Sequence, residues 1–132
     1  MISLTAEVDL SRTALIVDDS TTIRQMVALT LTQAGFTVLE GEHGRAGLAH
    51  LDAAALGVDL IVTDLNMPVM DGLAFVREVR SRPRYRFTPV LFLTTESADS
   101  FKQAGRTAGA TGWLLKPFDP QQLLQVVARV VQ

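Results

Sequence analysis

The sequence predicts an α/β domain in which five β-strands alternate with five α-helices and pair as a parallel sheet covered by helices on both faces. Two observations carry this prediction. Apolar residues recur with helical spacing in one segment and run almost unbroken in the next, and this alternation repeats five times along the chain. The unbroken runs lack the in-and-out alternation of a half-exposed sheet, so both of their faces are covered, as in parallel sheets built from βαβ units.

The elements follow in order. "TALIV" (13–17) reads as a buried strand. From Ser20 to Ala34, Ile23, Met26, Val27, Thr30, Leu31 and Ala34 fall on one helical face, with Ser20 as N-cap and Gly35 as the stop. "FTVLE" (36–40) is the second strand, Gly44 to Leu56 an Ala- and Leu-rich helix stopped by Gly57, and "VDLIVTD" (58–64) the third strand. Asp71 to Arg80 is a helix facing inward through Leu73, Val76 and Val79, and "PVLFLT" (89–94) is the fourth strand. Ser97 to Ala108 is a weaker helix with Phe101, Ala104, Gly105 and Ala108 inward, and Gly105 costs it about 1 kcal/mol against Ala. "TGWLL" (111–115) is the fifth strand. Asp119 and Pro120 open the last helix as N-cap and first residue, with Leu123, Leu124, Val127 and Val131 inward.

Size and charge narrow the function. The 132 residues make one domain, divided here into a lead-in over 1–11 and a folded unit over 12–132, with no repeat or linker. A net charge of -2 offers nothing to nucleic acid or anionic membrane. No apolar run approaches the roughly 18 residues of a membrane span, and the N-terminus lacks the basic start of a signal peptide, so a soluble cytoplasmic protein is expected. The absence of cysteine removes disulfides, thiolate metal sites and thiol nucleophiles. Arg77, Arg80, Arg82, Arg84 and Arg86 crowd around "RSRPRYRF"; a phosphate patch is one reading, and cations at a helix C-terminus running into a solvated loop is the favoured one. His43 and His50 read as solvated surface histidines.

In parallel sheets functional residues gather beyond the C-terminal strand ends. There the sequence places Asp18 and Asp19 after strand one, Asp64 at strand three, Thr94 and Thr95 after strand four, and Lys116, one of only two lysines, after strand five. Three adjacent carboxylates raise one another's pKa. A hard divalent cation relieves this, and Mg²⁺ takes oxygen ligands while keeping room for a phosphoryl oxygen. The set therefore points to Mg²⁺-assisted phosphoryl chemistry, with Lys116 and Thr94 placed for the phosphoryl oxygens.

Four ordered motifs, "LIVDDS", "TDLNMPVMDG", "LTTES" and "GATGWLLKPF", give the chain a resemblance to the receiver domains of two-component response regulators, most closely the CheY-like single-domain chemotaxis type, over residues 12–131. The resemblance implies a flavodoxin-like (βα)5 three-layer sandwich with strand order 2-1-3-4-5. It implies that Asp64 accepts a phosphoryl group from a CheA-like histidine kinase. Asp19, Asp64 and the backbone carbonyl of Asn66 would hold Mg²⁺, Asp18 helping mainly through water. Lys116 and Thr94 would bind the phosphoryl group, and Thr94 with Trp113 would form the switch behind a docking face made by the fourth helix, fifth strand and fifth helix. Asn66 and Glu96 would tune dephosphorylation toward a short lifetime, and the Lys116–Pro117 bond would be cis. Trp113, bulkier than the common Tyr or Phe and without a hydroxyl, is expected to be a slower switch or one biased outward, and Thr95 to restrict access. The implied protein is a signalling receiver that catalyses only its own phosphorylation and dephosphorylation. Its output is the flagellar motor switch or another partner, a phosphatase can act on it, and neither nucleic acid nor membrane is a partner. The alternative is a phosphate sink or phosphorelay intermediate. A flavin or nucleotide binder would need a phosphate-cradling loop where "VDDST" puts two acids, and a haloacid-dehalogenase-type phosphatase would need an acid where Asn66 stands.

Overall fold

The structure, a computed structural model, describes residues 12–131; the expected lead-in of residues 1–11 lies outside them, as does residue 132. The apolar runs form β1 (Thr13–Val17), β2 (Thr37–Gly41), β3 (Leu60–Thr63), β4 (Val90–Thr94) and β5 (Gly112–Leu115). Between and after them lie α1 (Thr21–Gln33), α2 (Gly44–Ala53), α3 (Gly72–Ser81), α4 (Asp99–Ala108) and α5 (Pro120–Val130), with a 3-10 turn at Pro83–Tyr85. Every strand pairing is parallel and the order is β2-β1-β3-β4-β5, the 2-1-3-4-5 arrangement expected. The order reverses between β1 and β3, which puts the switch-point crevice at the ends of those two strands.

Period-two alternation divides the strand residues between two cores. Leu15, Val17, Ile61, Val90 and Phe92 pack with Leu48, Leu51, Phe75, Val76 and Val79 from α2 and α3. Ala14, Ile16, Leu60, Val62, Leu91 and Leu93 pack on the other face with Val27 and Leu31 of α1 and Leu123 and Val127 of α5. Burying one such side chain contributes roughly 1.5–3 kcal/mol, against about 1 kcal/mol for a helix cap, so the two cores dominate and the caps set boundaries. Ser20 and Asp119 accept from the backbone N–H groups of Ile23 and Gln121, as expected of caps, and Asp71, expected as the first helical residue, instead caps α3 by accepting from Ala74 N–H. Gly35, at φ 100°, closes α1 with bonds from Phe36 N–H to the Leu31 carbonyl and from Gly35 N–H to the Thr32 carbonyl.

Several boundaries and faces differ from expectation. α2 ends at Ala53 rather than Leu56, because Arg84 takes the carbonyls of Ala54 and Ala55 at 3.0 and 2.8 Å and the chain peels away, leaving Leu56 94% exposed. α4 begins at Asp99 without a side-chain cap. It packs through Gly105 and Ala108, while Phe101 lies at the surface, 39% exposed. The α1 stripe is also narrower than its periodicity: Val27, Thr30 and Leu31 are buried, whereas Met26 and Ala34 are exposed. Leu124 and Val131 are only partly buried.

The segment after β3 is positioned by two backbone constraints. A Cβ on Gly72 would collide with the Asp64 carbonyl and lie 2.8 Å from both Leu65 Cα and Phe92 Cε1, so only glycine lets α3 start against the strand end. Within the loop, Met70 N–H donates to the Pro68 carbonyl at 2.7 Å across Val69, which is held at φ 71° while 69% exposed. That is a tight three-residue turn centred on a β-branched residue in a region such residues avoid.

Two outcomes follow. Gly72→Ala should lose about 1–3 kcal/mol, the cost of overpacking, and shift the amide resonances of Asp64 and Leu65; an unchanged denaturation midpoint with unmoved resonances contradicts the close approach. Val69→Gly should gain about 0.5–1 kcal/mol, since relieved strain exceeds the added chain entropy, and a lowered urea midpoint would show that Val69 is not strained.

Candidate functional site

β1, β3, β4 and β5 deliver Asp18, Asp64, Thr94 and Lys116 to one rim. Asp18 and Thr94 are almost fully buried and Asp64 is 8% exposed, unusual for carboxylates and therefore a demand for partners. Lys116 supplies one: its Nζ lies 2.7 Å from Asp18 Oδ2 and 3.1 Å from Asp64 Oδ2. Each carboxylate also accepts a backbone N–H, Asp18 Oδ1 from Ser20 at 2.9 Å and Asp64 Oδ1 from Leu65 at 2.7 Å. Asp19 joins from the solvent side, and ligand oxygens of Asp18, Asp19 and Asp64 all lie within 4.8 Å of one another.

Three carboxylates against one ammonium leave two negative charges uncompensated. Burial pushes the Asp18 carboxyl above its ordinary value; the hydrogen bond and charge of Lys116 and the Ser20 N–H hold it down, and the charge of Asp64 adds to the rise. On Lys116 burial works downward but is outweighed by the bonds and charges of Asp18 and Asp64, so the ammonium is retained. A salt bridge alone would have lowered the Asp18 value. Burial outweighs it here, and it is the convergence of three carboxylates, all hard oxygen donors, around one ammonium that fits a divalent cation such as Mg²⁺.

Behind the rim, Thr94 Oγ1 accepts from Glu96 N–H at 3.3 Å, and the Trp113 indole N–H donates to the Glu96 carbonyl at 2.8 Å. Trp113 packs tilted against Phe92 with centroids 5.2 Å apart. It also explains Gly105, where a Cβ would sit 2.8 Å from Trp113 Cζ3. The glycine read as a weakness of α4 is the place where the indole meets the helix. The lack of a hydroxyl does not leave Trp113 unanchored, since its N–H makes the bond. The Lys116–Pro117 peptide is cis, as expected. Asn66 and Thr95 are exposed beside the rim, and Glu96 is half-buried.

Other candidates lie elsewhere in the fold. Arg80, in the last turn of α3, donates to the carbonyls of Gly109, Tyr85 and Thr88, and at the surface Arg82 pairs with Asp52 at 2.7 Å and Arg84 bonds the carbonyls that follow α2, so three of the five arginines have partners within the chain. Neither histidine is simply solvated: His43 Nδ1 accepts from Ala46 N–H as the N-cap of α2, and His50 Nε2 lies 2.9 Å from the Glu40 carbonyl. Sequence reasoning passed over Arg24. Its signal was a cation one turn into a helix, where the dipole disfavours positive charge.

The family model for the response regulator receiver domain matches residues 14–128. Chemotaxis protein CheY1 of Helicobacter pylori is 41% identical over 110 residues, 83% of this chain and 88% of that protein. The CheY homolog of Campylobacter jejuni is 37% identical over 118 residues, 89% of this chain and 90% of that protein. The solved structure of chemotaxis response regulator CheY4 of Vibrio cholerae matches with a TM-score of 0.86 and 49% identity, covering 92% of this chain and 99% of that one. With the parallel order, the acidic rim and the four motifs all accounted for, the chain belongs to the response regulator receiver domain family, as a CheY-type member.

Proposed function

We propose that the protein is a phosphorylation-controlled signalling receiver of a chemotaxis pathway, in which Asp64 takes a phosphoryl group from a phosphohistidine on a CheA-like kinase. The observation that carries this reading is the Lys116 ammonium lying within 3.1 Å of both Asp18 and Asp64 at a buried rim. A carboxylate oxygen of Asp64 forms a bond to phosphorus as the P–N bond of the donor breaks, and the imidazole departs with the electron pair. Asp19, Asp64 and the Asn66 backbone carbonyl would hold Mg²⁺, with Asp18 contributing mainly through water. When bound, the ion neutralises charge that builds on the transferring phosphoryl oxygens. Lys116 pairs with the incoming oxygens and the Thr94 hydroxyl donates to one of them. Reversal of the state is hydrolysis of the acyl phosphate, tuned from Asn66 and Glu96, which flank the approach of water.

Output follows from the bonds behind Asp64. A Thr94 hydroxyl drawn to a phosphoryl oxygen gives up Glu96 N–H, and Glu96 is also the acceptor of the Trp113 indole. The change therefore reaches β5 and α4, which with α5 would form the face for a flagellar motor switch or other partner. CheY-like receivers interact with kinases such as CheA and with output targets, which supports this assignment. Among the described residues no helix is long and apolar enough to cross a membrane, in keeping with a cytoplasmic role.

Incubation with acetyl phosphate and Mg²⁺ should add one phosphoryl group by intact mass, with none on Asp64→Asn or without Mg²⁺; an adduct persisting on Asp64→Asn would move the acceptor elsewhere. Because Trp113 is the single tryptophan, its fluorescence reports the switch directly. Beryllofluoride with Mg²⁺ should change it in wild type and leave it nearly unchanged in Thr94→Ala; equal responses would uncouple Thr94 from Trp113.

A further inference from the structure

We infer that Arg24 is a positioning residue for the acidic rim, holding the backbone of the Asp18–Asp19 turn in the geometry that lets both carboxylates face Asp64. Its side chain, only 13% exposed, reaches back from α1 and donates through Nη1 to the Asp18 carbonyl at 2.6 Å. Nη2 lies 3.3 Å from Thr21 Oγ1, and Nε lies 3.3 Å from Glu40 Oε1 at the end of β2. One guanidinium thus ties together the end of β1, the first turn of α1 and the end of β2. In the preceding peptide unit, Asp18 N–H donates to the Gly41 carbonyl at 3.1 Å, so the backbone is bonded on both sides of the Asp18 Cα.

The chemistry suits a brace better than a ligand. Arginine has no acceptor and carries a charge of the same sign as the expected metal, so it cannot coordinate the ion. Its planar fork of donors can serve a carbonyl, a hydroxyl and a carboxylate at once, which a lysine cannot match. Glu40 offsets the charge, leaving geometry as the main contribution. Placement in the first turns of α1, against the helix dipole, is unfavourable by itself and is compensated by these three bonds.

The inference rests on the Mg²⁺ reading of the rim, and the sign of the effect separates positioning from electrostatics. Removing a cation beside three carboxylates would tighten Mg²⁺ binding if charge alone mattered. Loss of positioning weakens it, by about tenfold if Arg24 acts as outer partners of metal ligands commonly do. Mg²⁺ affinity should be measured by titration calorimetry at low temperature on wild type, Arg24→Ala, Arg24→Lys and Glu40→Gln, each checked as folded by circular dichroism. Weakened binding in Arg24→Ala, partial recovery in Arg24→Lys and a smaller loss in Glu40→Gln are expected. Unchanged or tighter binding in a folded Arg24→Ala overturns the inference. Failure of wild type to bind Mg²⁺ would instead remove the reading of the rim on which it stands. Should Arg24→Ala not fold, weakened binding in Arg24→Lys decides the question, and wild-type affinity in that variant overturns it.

Discussion

The interaction on which the site depends is the ammonium of Lys116 held between the carboxylates of Asp18 and Asp64. It joins residues 98 positions apart in sequence and links the ends of β5, β1 and β3. Leaving any one of these three charges buried without the others would cost several kcal/mol, so the rim is stable only as a set. With Asp19 beside them the rim carries three carboxylates to one ammonium, and burial raises the Asp18 carboxyl despite the lysine. On the proposed reading, this acid excess would be offset by a divalent cation, which together with Lys116 would then receive the anionic phosphoryl group.

The surrounding backbone keeps that imbalance from relaxing. Gly72 allows α3 to press against the Asp64 carbonyl, and the turn at Val69 forces the loop to double back where an ordinary residue would extend it. Arg24 and Gly41 bond the two peptide units that flank the Asp18 Cα, one at its carbonyl and one at its N–H. Each device uses a local departure from easy backbone or charge preferences, and all of them surround the rim. The opposite end of the sheet shows the contrast: Arg80 and Arg84 spend their donors on loop carbonyls, and Tyr85 buries its hydroxyl against the Leu51 carbonyl at 2.8 Å. That end is built for stability.

On the proposed reading, coupling to the surface would run through a short path. Thr94 and Trp113 share Glu96, one through its N–H and the other through its carbonyl. The indole also occupies the space that Gly105 leaves open, so a change at Trp113 bears directly on α4, whose first turn is uncapped. An element held mainly at one end is one that a modest free energy can shift.

Strands and helices were legible in the sequence because burial on both faces leaves near-continuous apolar runs, and the ends at Ser20, Asp119 and Gly35 because these residues perform local backbone tasks that no distant contact alters; the sheet order came with the family resemblance. The rim residues were legible for a related reason, since strand ends in a parallel sheet converge whatever the loops do. Tertiary structure alone decided what depends on a distant partner. α2 stops early because Arg84 arrives from 30 residues away, His50 meets the Glu40 carbonyl of β2, and Phe101 stays outside because α4 approaches the sheet through Gly105. Arg24, whose helical position argues against a cation, acquires its place only when β1 and β2 bring a carbonyl and a carboxylate to it. Local propensity is written in neighbouring residues, whereas the satisfaction of a buried charge or carbonyl is a property of three-dimensional proximity.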